Sequence, residues 1–407
     1  MFLFLGCCLK AFSFVHVSDL HLGYSQYGLE VRRQDFDDVF AELVNKVLEL
    51  RPDFLIIAGD IFHNPRPTNI TLENTIRSFK RLKDAKIPVL TVDGSHDSSP
   101  NTITGTILYP LDSAGLIYHL PRHSGACWRQ QDCCYVYGIP NYHTRNKTRD
   151  ALPKFMLENP PTPAEDVYNI FVLHGAIDLP GVKPPYIEAE LSPEMLPSGF
   201  QYYAAGHIHE RFNAKFKDGY LFYSGCTETV SYDEAMYPKS FNYVQVHETG
   251  ESKIEQIDLS PRLFIILDEN NFSNTPPTKI TDTITQMVKD VDTDDAVIVP
   301  VLKGTLPTET SRSDVDIAKI CAAGKKALLV HPIVLLNESA VLDEISRNIF
   351  DDDFKDLKTK SYEYFLQIFS ERYSKEEADK IAKSALALIE PLARKQDEKI
   401  KKIIEDL

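Results

Sequence analysis

Apolar runs of strand length alternate with helical patterns in the first quarter of the chain. "FSFVHVSD" (12–19) and "PDFLIIAGD" (52–60) are mostly apolar until they end in Asp, which is typical of buried strands. Between them, "DDVFAELVNKVLEL" (37–50) carries apolar residues at helical spacing, and "TLENTIRSFKRLKDA" (71–85) precedes a third apolar run, "IPVLTVDG" (87–94). This order predicts parallel strands buried on both faces with helices packed outside them.

Five further strands are predicted where helical patterns become sparse, so this half of the domain is expected to be more antiparallel. They are "CYVYGIP" (134–140), "YNIFVLHG" (168–175), "FQYYAAGH" (200–207), "YLFYSGC" (220–226) and "SFNYVQVH" (240–247). Together with the first three strands they predict a layered α/β sandwich over residues 12–258. Residues 1–11 are interpreted as an N-terminal extension.

The remaining chain is predicted to form a small α/β domain (259–336), a linker (337–354) and a helical segment (355–407). In that segment Ser374 and Glu377 have capping-box spacing, which predicts a helix start, and Pro391 is expected to kink or break the helix. Two interpretations stay open for its apolar faces: a hairpin packed on its own globule, or an amphipathic module that docks on a partner.

Composition narrows the class of protein. The 407 residues are 43% hydrophobic and 25% charged, as in soluble globular proteins. A net charge of −15 argues against nonspecific coating of nucleic acid, although it leaves room for a local basic groove. The seven Cys form no paired C-x-x-C motif, which favours a reducing cytoplasm over a disulfide framework. No segment has the length and apolarity of a membrane helix.

Polar segments follow five of the predicted strands, namely Asp19–His21, Gly59–Asp60, Gly94–Asp97, His174–Gly175 and Gly206–His209. Ligands of open α/β sheets bind beyond the carboxyl ends of strands, so these side chains are expected to converge. Carboxylate oxygen together with imidazole nitrogen suits Mn²⁺, Fe²⁺ or Zn²⁺, whereas an all-oxygen shell would suit Mg²⁺ or Ca²⁺. The sequence therefore predicts a metal site.

These motifs resemble a known family. The series D-x-H, GD, G-N-H-[DE], H and G-H-x-H resembles the signature of the calcineurin-like metallophosphoesterases. Within that superfamily, "VSDLHLGYSQYG", "AGDIFHNPRP" and "GHIHE" resemble the Mre-eleven/SbcD branch of DNA double-strand-break repair nucleases, of prokaryotic or archaeal type. The resemblance implies a two-sheet α/β sandwich around two metal ions, followed by an α/β DNA-capping domain and a C-terminal helical segment.

The resemblance also implies an activity and partners. It implies an Mn²⁺-dependent DNA exonuclease and endonuclease with two Mn²⁺ per subunit, Mg²⁺ or Fe²⁺ being possible substitutes. A coiled-coil ABC-type, SMC-like ATPase would bind residues 355–407, and a nuclease homodimer would form the centre of a heterotetramer.

The resemblance assigns a role to each motif position. Asp19, His21 and His209 correspond to ligands of the first metal, Asp60 to the bridging carboxylate, and His174, His207 and the position of Ser95 to ligands of the second. His96 corresponds to the catalytic histidine, which Asp97 is expected to orient, and His63 to a second active-site histidine. Imidazole titrates near working pH and suits proton transfer to the leaving oxygen.

Ser95 departs from the family pattern, which has Asn there. A hydroxyl is shorter than an amide, so a weaker second metal site is expected. The substitution is compatible with a natural variant, a deliberate change or a branch that uses Ser.

DNA contacts are predicted in the segment 141–150, interpreted as a loop, through Tyr142, Arg145, Lys147 and Arg149. Two alternative functions stay open: a DNA-tethering scaffold whose catalysis is weak because of Ser95, and a phosphomonoesterase or phosphodiesterase on the same fold.

Overall fold

The computed structural model describes residues 9–98, 105–130, 133–182, 188–268, 270–308, 310–338, 362, 365–366 and 375–393. Internal contacts divide the chain into two compact units. The first consists of residues up to 266 with 293–299 and 326–329, and the second contains the other residues from 267 onward.

The α/β sandwich is built from twelve strands in the described residues. They are β1 Phe12–Val17, β2 Phe54–Ile57, β3 Val89–Thr91, β4 Tyr118–His119, β5 Cys127–Gln130, β6 Cys134–Gly138, β7 Tyr168–His174, β8 Tyr202–Gly206, β9 Phe212–Phe216, β10 Gly219–Tyr223, β11 Ser240–Val246 and β12 Ser252–Asp258. Its helices are α1 Glu30–Leu50, α2 Asn69–Asp84, α3 Leu108–Ser113 and α4 Arg145–Glu158.

The strands form two six-stranded sheets, ordered β12-β11-β1-β2-β3-β4 and β5-β6-β7-β8-β10-β9. The two-sheet sandwich predicted from the sequence is therefore confirmed. The second half is more antiparallel than the first, as predicted, because β5, β9, β11 and β12 all pair antiparallel with their neighbours, although β6, β7, β8 and β10 run parallel to one another. Long connections, one of which contains α4, return the chain to the same end of the sheet before each new parallel strand begins.

Alternating side chains produce three apolar layers. On β1, Phe14 points between the two sheets, whereas Val15 and Val17 point toward α1 and α2. On β7, Ile170 lies between the sheets and Phe171 on the far face of the second sheet. Each such fully buried side chain stabilises the fold by roughly 2 kcal/mol. The sheets are thereby fixed back to back, and the loops at their carboxyl ends lie side by side.

Helix ends follow from local chemistry. The Thr68 hydroxyl accepts a hydrogen bond from the Thr71 amide at 3.2 Å and caps the start of α2. Helix α1 ends where Arg51 adopts a left-handed conformation. The apolar faces of the two helices, with Phe40 of α1 and Phe79 of α2, pack on the first sheet.

The later part of the chain contains β13 Phe264–Leu267, α5 Pro277–Val291, β14 Val297–Thr305, α6 Ile317–Cys321, β15 Leu329–Val330, β16 Ile333–Asn337 and α7 Lys375–Ala393. The strands form a third sheet of order β13-β14-β15, with β16 beside β14. Helix α5 buries Ile280, Ile284 and Val288 at helical spacing.

Helix α7 continues through Pro391 to Ala393, so the expected break at that proline is not observed. Ser374, the predicted cap, lies outside the described residues, as do most of residues 355–374. In the described part of the chain, every helix is too short or too polar to cross a bilayer.

Candidate metal centre

Five of the predicted metal ligands converge where the parallel strands of the two sheets end, and His207 lies beside them with its ring centroid 5.3 Å from that of His174. We use "site 1" for Asp19, His21 and His209, and "site 2" for Asp60, Ser95, His174 and His207. In site 1 the Nε2 atoms of His21 and His209 lie 3.2 Å apart, and His209 Nε2 lies 3.7 Å from Asp19 Oδ1. In site 2 His174 Nε2 lies 3.3 Å from Asp60 Oδ2.

Asp19 and Asp60 connect the two sites. Candidate ligand atoms of Asp19, His21 and His209 lie within 4.8 Å of one another, as do those of Asp19, Asp60 and His174. Asp60 Oδ2 is also 3.9 Å from His21 Nε2, which belongs to site 1. The donors therefore form one continuous cluster rather than two separate ones.

Four of these residues have a left-handed backbone, with φ of 56° at Asp19, 47° at His21, 50° at Asp60 and 94° at His207. Each costs about 1–2 kcal/mol in a residue with a side chain, and such strain concentrates at functional sites. Hydrogen bonds between the loops maintain it, since the amides of Leu20 and His21 both donate to the Asp60 carbonyl, at 2.9 and 3.0 Å.

Two glycines allow the loops to approach so closely. A Cβ added at Gly94 would lie 2.0 Å from Asp60 Oδ1, and one at Gly206 would lie 2.1 Å from the Ala58 carbonyl oxygen. Neither neighbour can move without displacing a strand end or a proposed ligand. Glycine at these positions therefore reflects close packing around the cluster.

Hydrogen bonds fix the tautomer of His174. Its Nδ1 lies 2.8 Å from the Ala58 carbonyl oxygen, which can only accept, so Nδ1 carries the proton and Nε2 faces Asp60. Burial lowers the pKa of His174, but Asp60 more than offsets this and raises it to about 10. Burial conversely raises the pKa of Asp60, and His174 outweighs that effect and holds it well below its usual range.

The cluster fits a pair of divalent cations by its chemistry. His174 Nε2 is buried and has no hydrogen-bond partner among the described residues. Buried polar atoms are otherwise almost always paired, so an unpaired imidazole nitrogen beside a buried carboxylate fits a metal ligand. The mixture of carboxylate oxygen and imidazole nitrogen suits transition metals such as Mn²⁺.

His96 lies against the cluster with one nitrogen held away from it. Its Nδ1 donates to the His63 carbonyl oxygen at 2.8 Å, and its backbone amide donates to Asp60 Oδ1, also at 2.8 Å. The Nε2 atom is therefore the free, basic nitrogen of this ring. The ring packs edge-on against His21 with centroids 4.9 Å apart.

His63 is held by ring stacking. Its ring stacks on Tyr24 at 3.8 Å between centroids and on His96 at 5.0 Å. Burial, and then the neighbouring His96, lower the pKa of His63 to about 4. The ring is therefore neutral at physiological pH.

Asp97 does not orient the His96 ring as expected from the sequence. Its buried carboxylate instead accepts hydrogen bonds from the backbone amides of Phe62 and Gly94 at 2.9 Å and of Ile61 at 3.2 Å. Burial, followed by repulsion from Asp60, raises the pKa of Asp97 to about 7. Asp97 ties the loop after β2 to the loop after β3, and the His63 carbonyl orients His96.

Ser95 lies beside the shared carboxylate. Its hydroxyl lies 3.4 Å from Asp60 Oδ2, to which it donates a long hydrogen bond. A hydroxyl that donates to Asp60 is a weaker metal ligand than the amide oxygen of the family pattern.

Three polar residues around the cluster were not predicted from the sequence. Glu234 Oε1 lies 2.8 Å from His209 Nδ1, Glu190 Oε1 lies 3.5 Å from His207 Nε2, and the Asn141 amide donates to the His174 carbonyl at 2.9 Å. The Ser231–Glu234 capping box is a local sequence signal that would have drawn attention to Glu234. Glu190 and Asn141 follow no such pattern.

The predicted DNA-contact segment is only partly a loop. Arg145, Lys147 and Arg149 lie in the first turns of α4, because the Thr144 hydroxyl caps that helix by accepting from the Lys147 amide. Tyr142 lies in the preceding loop and packs against the far face of the second sheet. His143 in the same loop contacts the Ser98 hydroxyl at 3.0 Å, so the segment borders site 2.

Comparison with known proteins agrees with this geometry. The model of the calcineurin-like phosphoesterase family matches residues 12–211, which contain both sites. This family implies a dinuclear metal centre, and the chain is an enzyme of the dinuclear-metal phosphodiesterase class.

Three curated relatives specify the branch, and each is described as DNA double-strand break repair protein Mre11. The protein from Methanocaldococcus jannaschii is 33% identical over 64% of this chain and 71% of its own length. That from Methanococcus maripaludis is 27% identical over 64% and 72%, and that from Saccharolobus solfataricus is 34% identical over 50% and 51%. The chain belongs to the Mre11 family, which confirms the resemblance seen in the sequence.

Proposed function

We propose that this protein is an Mn²⁺-dependent DNA nuclease, with exonuclease and endonuclease activity, that acts in double-strand-break repair. The observation that carries the proposal is the continuous cluster of site 1 and site 2 with the free Nε2 of His96 beside it. Family membership supports DNA as the substrate.

The residues of site 1 and site 2 would hold two Mn²⁺ ions, with Asp60 shared between them. When bound, such a pair supplies Lewis acidity toward a phosphate and lowers the pKa of water. His96 in its imidazolium form would donate the Nε2 proton to the departing sugar oxygen and become neutral, because its Nδ1 proton is committed to the His63 carbonyl. His63 supports that ring by stacking, and Asp97 keeps the two loops in register.

DNA would approach across the start of α4. Arg145 and Arg149 are more than half exposed, and their nearest carboxylates, Asp178 at 4.0 Å and Asp150 at 3.3 Å, form weak surface pairs that phosphates can replace. Lys147 is exposed on the same turn. The position of this segment beside site 2 supports a role in guiding the backbone toward the metals.

Two protein partners belong to the proposal. A coiled-coil ABC-type ATPase would bind residues 355–407, of which α7 is the described part. A second copy of the chain would bind the nuclease domain and make a heterotetramer with two ATPases. Val31, Ile70 and Ile76 are exposed apolar residues on or near α1 and α2 and support a contact there.

A nuclease assay tests the proposal most directly. We expect the purified protein to degrade linear duplex DNA with millimolar Mn²⁺ and not with EDTA. His96→Ala should lower the rate about 10²- to 10⁴-fold, the usual contribution of a positioned proton donor, while leaving Mn²⁺ binding intact. His123→Ala is a matched control, since His123 pairs with Asp112 away from the cluster. Hydrolysis of p-nitrophenyl phosphate without any DNA cleavage would contradict the proposal.

A DNA-tethering scaffold is the second candidate, and Ser95 is the observation that favours it, because a hydroxyl stands where the family pattern has an amide and donates its hydrogen bond to Asp60. This candidate predicts binding of DNA and ATPase without cleavage. Ser95→Asn would then restore cleavage. If the unmodified protein cleaves DNA in Mn²⁺, the scaffold hypothesis is wrong.

A further inference from the structure

One imidazole of the cluster is held by a carboxylate from outside both sites. Glu234 Oε1 lies 2.8 Å from His209 Nδ1, and both side chains are largely buried, at 16% and 17% exposure. The Glu234 carboxylate accepts the hydrogen bond that His209 donates from Nδ1, so the other ring nitrogen, Nε2, faces site 1.

The position of Glu234 is fixed from several sides. Its Oε2 accepts from the Ser231 amide at 3.3 Å within a capping box, so both carboxylate oxygens are engaged. The buried Lys239 ammonium donates to the Glu234 carbonyl at 3.0 Å and to Cys226 Sγ at 3.1 Å. The Cys226 amide in turn donates to the His209 carbonyl at 3.2 Å. Three chain segments are thus joined around the His209 ring.

Site 2 has a weaker arrangement of this kind, because the Glu190 carboxylate lies 3.5 Å from the His207 ring, whereas Glu234 lies 2.8 Å from the His209 ring. The Nδ1 of His174 donates to a neutral backbone carbonyl, that of Ala58. Glu190 is 3.5 Å from His207, and it approaches Nε2. Its other oxygen accepts from the Ala176 amide at 2.7 Å. The carboxylate on Nδ1 is therefore a feature of site 1.

We propose that Glu234 is a positioning residue for site 1, which orients His209 through Nδ1 and increases the affinity of site 1 for its divalent cation. A carboxylate behind a ligating imidazole fixes the tautomer, makes the ligating nitrogen more basic and adds a negative charge near the metal. Because the two sites have different supports, site 1 fills before site 2. The inference rests on the proposed function in that it takes site 1 as a metal site.

Titration of the full-length protein with Mn²⁺ alone tests the inference. Isothermal calorimetry reports the affinities of two binding events, and electron paramagnetic resonance separates an isolated Mn²⁺ from a coupled pair. We expect Glu234→Gln, which keeps the shape and removes the charge, to weaken one of the two binding events about 10- to 100-fold, as is usual for such partners. The coupled spectrum should then require a higher Mn²⁺ concentration.

Matched variants separate positioning from folding. Glu234→Asp keeps the charge and the capping role but withdraws the carboxylate from Nδ1, and we expect an affinity between those of Gln and Glu. Glu190→Gln also removes a buried carboxylate that accepts a backbone amide, and it should leave the site 1 event unchanged. Thermal unfolding in EDTA should be similar for all of them.

The outcomes distinguish the inference from the function on which it rests. If the unmodified protein does not bind two Mn²⁺, the proposed function is wrong. If it binds two, and folded Glu234→Gln and Glu234→Asp bind both as tightly as the unmodified protein, only the role of Glu234 is refuted. A fold lost in EDTA with Glu234→Asp would likewise assign Glu234 to stability rather than to positioning.

Discussion

Site 1 and site 2 lie side by side but are supported differently. In site 1 a buried carboxylate orients His209, and Asp19 accepts hydrogen bonds from the Ser18 hydroxyl and from the His207 amide. In site 2 a backbone carbonyl holds His174, and Glu190 lies at the longer distance of 3.5 Å from His207. The Ser95 hydroxyl donates a long hydrogen bond to Asp60. The difference teaches that one half of a dinuclear centre can be built for firm binding while the other depends on the shared carboxylate.

Removing the shared carboxylate should affect both sites at once. We expect Asp60→Asn to lower the Mn²⁺-dependent hydrolysis rate by about 10³-fold or more, because metal activation contributes several kcal/mol to the transition state. Calorimetry should show two weakened binding events. If only one binding event weakens, Asp60 does not bridge the two sites, and the inference of a shared carboxylate is wrong. Asp53→Asn, a change at the opposite end of β2, is the control.

The next prediction concerns His16 on β1, the strand that precedes Asp19 and His21, and asks whether this histidine affects stability alone. It is fully buried, its Nδ1 lies 3.0 Å from the Tyr202 hydroxyl, and burial lowers its pKa to about 3. The unfolded chain binds a proton below pH 6.5 and the folded chain does not, so stability is lost as the pH falls from 6.5 toward 3. The loss should be about 2 kcal/mol between pH 7 and pH 5.

Urea unfolding in EDTA at those two pH values measures this loss. His16→Gln should reduce the pH dependence by that amount while leaving two Mn²⁺-binding events in place. An unchanged pH dependence in the variant would refute the assignment of the proton to His16. Loss of a binding event would show that site 1 extends further along β1 than we infer.

The smallest expected effect concerns Ser95. Its replacement by Asn places an amide oxygen beyond the reach of the present hydroxyl, and we expect the weaker Mn²⁺-binding event to tighten about tenfold, or about 1.4 kcal/mol. The stronger event should not change. Ser95→Ala is the control, since it removes the hydroxyl without adding a ligand. Equal affinities for all three proteins would mean that this position does not contact the second metal.

Sequence reasoning located the proposed ligands because each lies in a short motif directly after a buried strand. Asp19 and His21 are two residues apart in the chain, and the parallel order of the strands brings Asp60 beside them. Apolar runs likewise predicted both sheets. The parallel order of β6, β7, β8 and β10 within the second sheet was not predicted, because α4 has a weak apolar pattern and an internal Pro153 and therefore looked like a loop.

The supports of the cluster could not be predicted in the same way. Glu234 is 25 residues from His209 and Asn141 is 33 from His174, so each contact depends on how separate loops pack. Asp97 directly follows His96 in the chain, which suggested that its carboxylate orients the His96 ring. The tight turn directs its carboxylate to the amides of Ile61, Phe62 and Gly94. In such a turn, two residues that are neighbours in the chain can direct their side chains to different partners.

The left-handed backbone at Asp19, His21, Asp60 and His207 has a consequence for how cations enter and leave. Packing of the two sheets already maintains these conformations, so the chain has no disordered ligands to gather when a cation arrives. The folded chain therefore forms the binding site before a cation arrives, whereas a zinc finger folds only when its structural ion binds. Exchange of one divalent cation for another is therefore expected to proceed without unfolding of the sandwich.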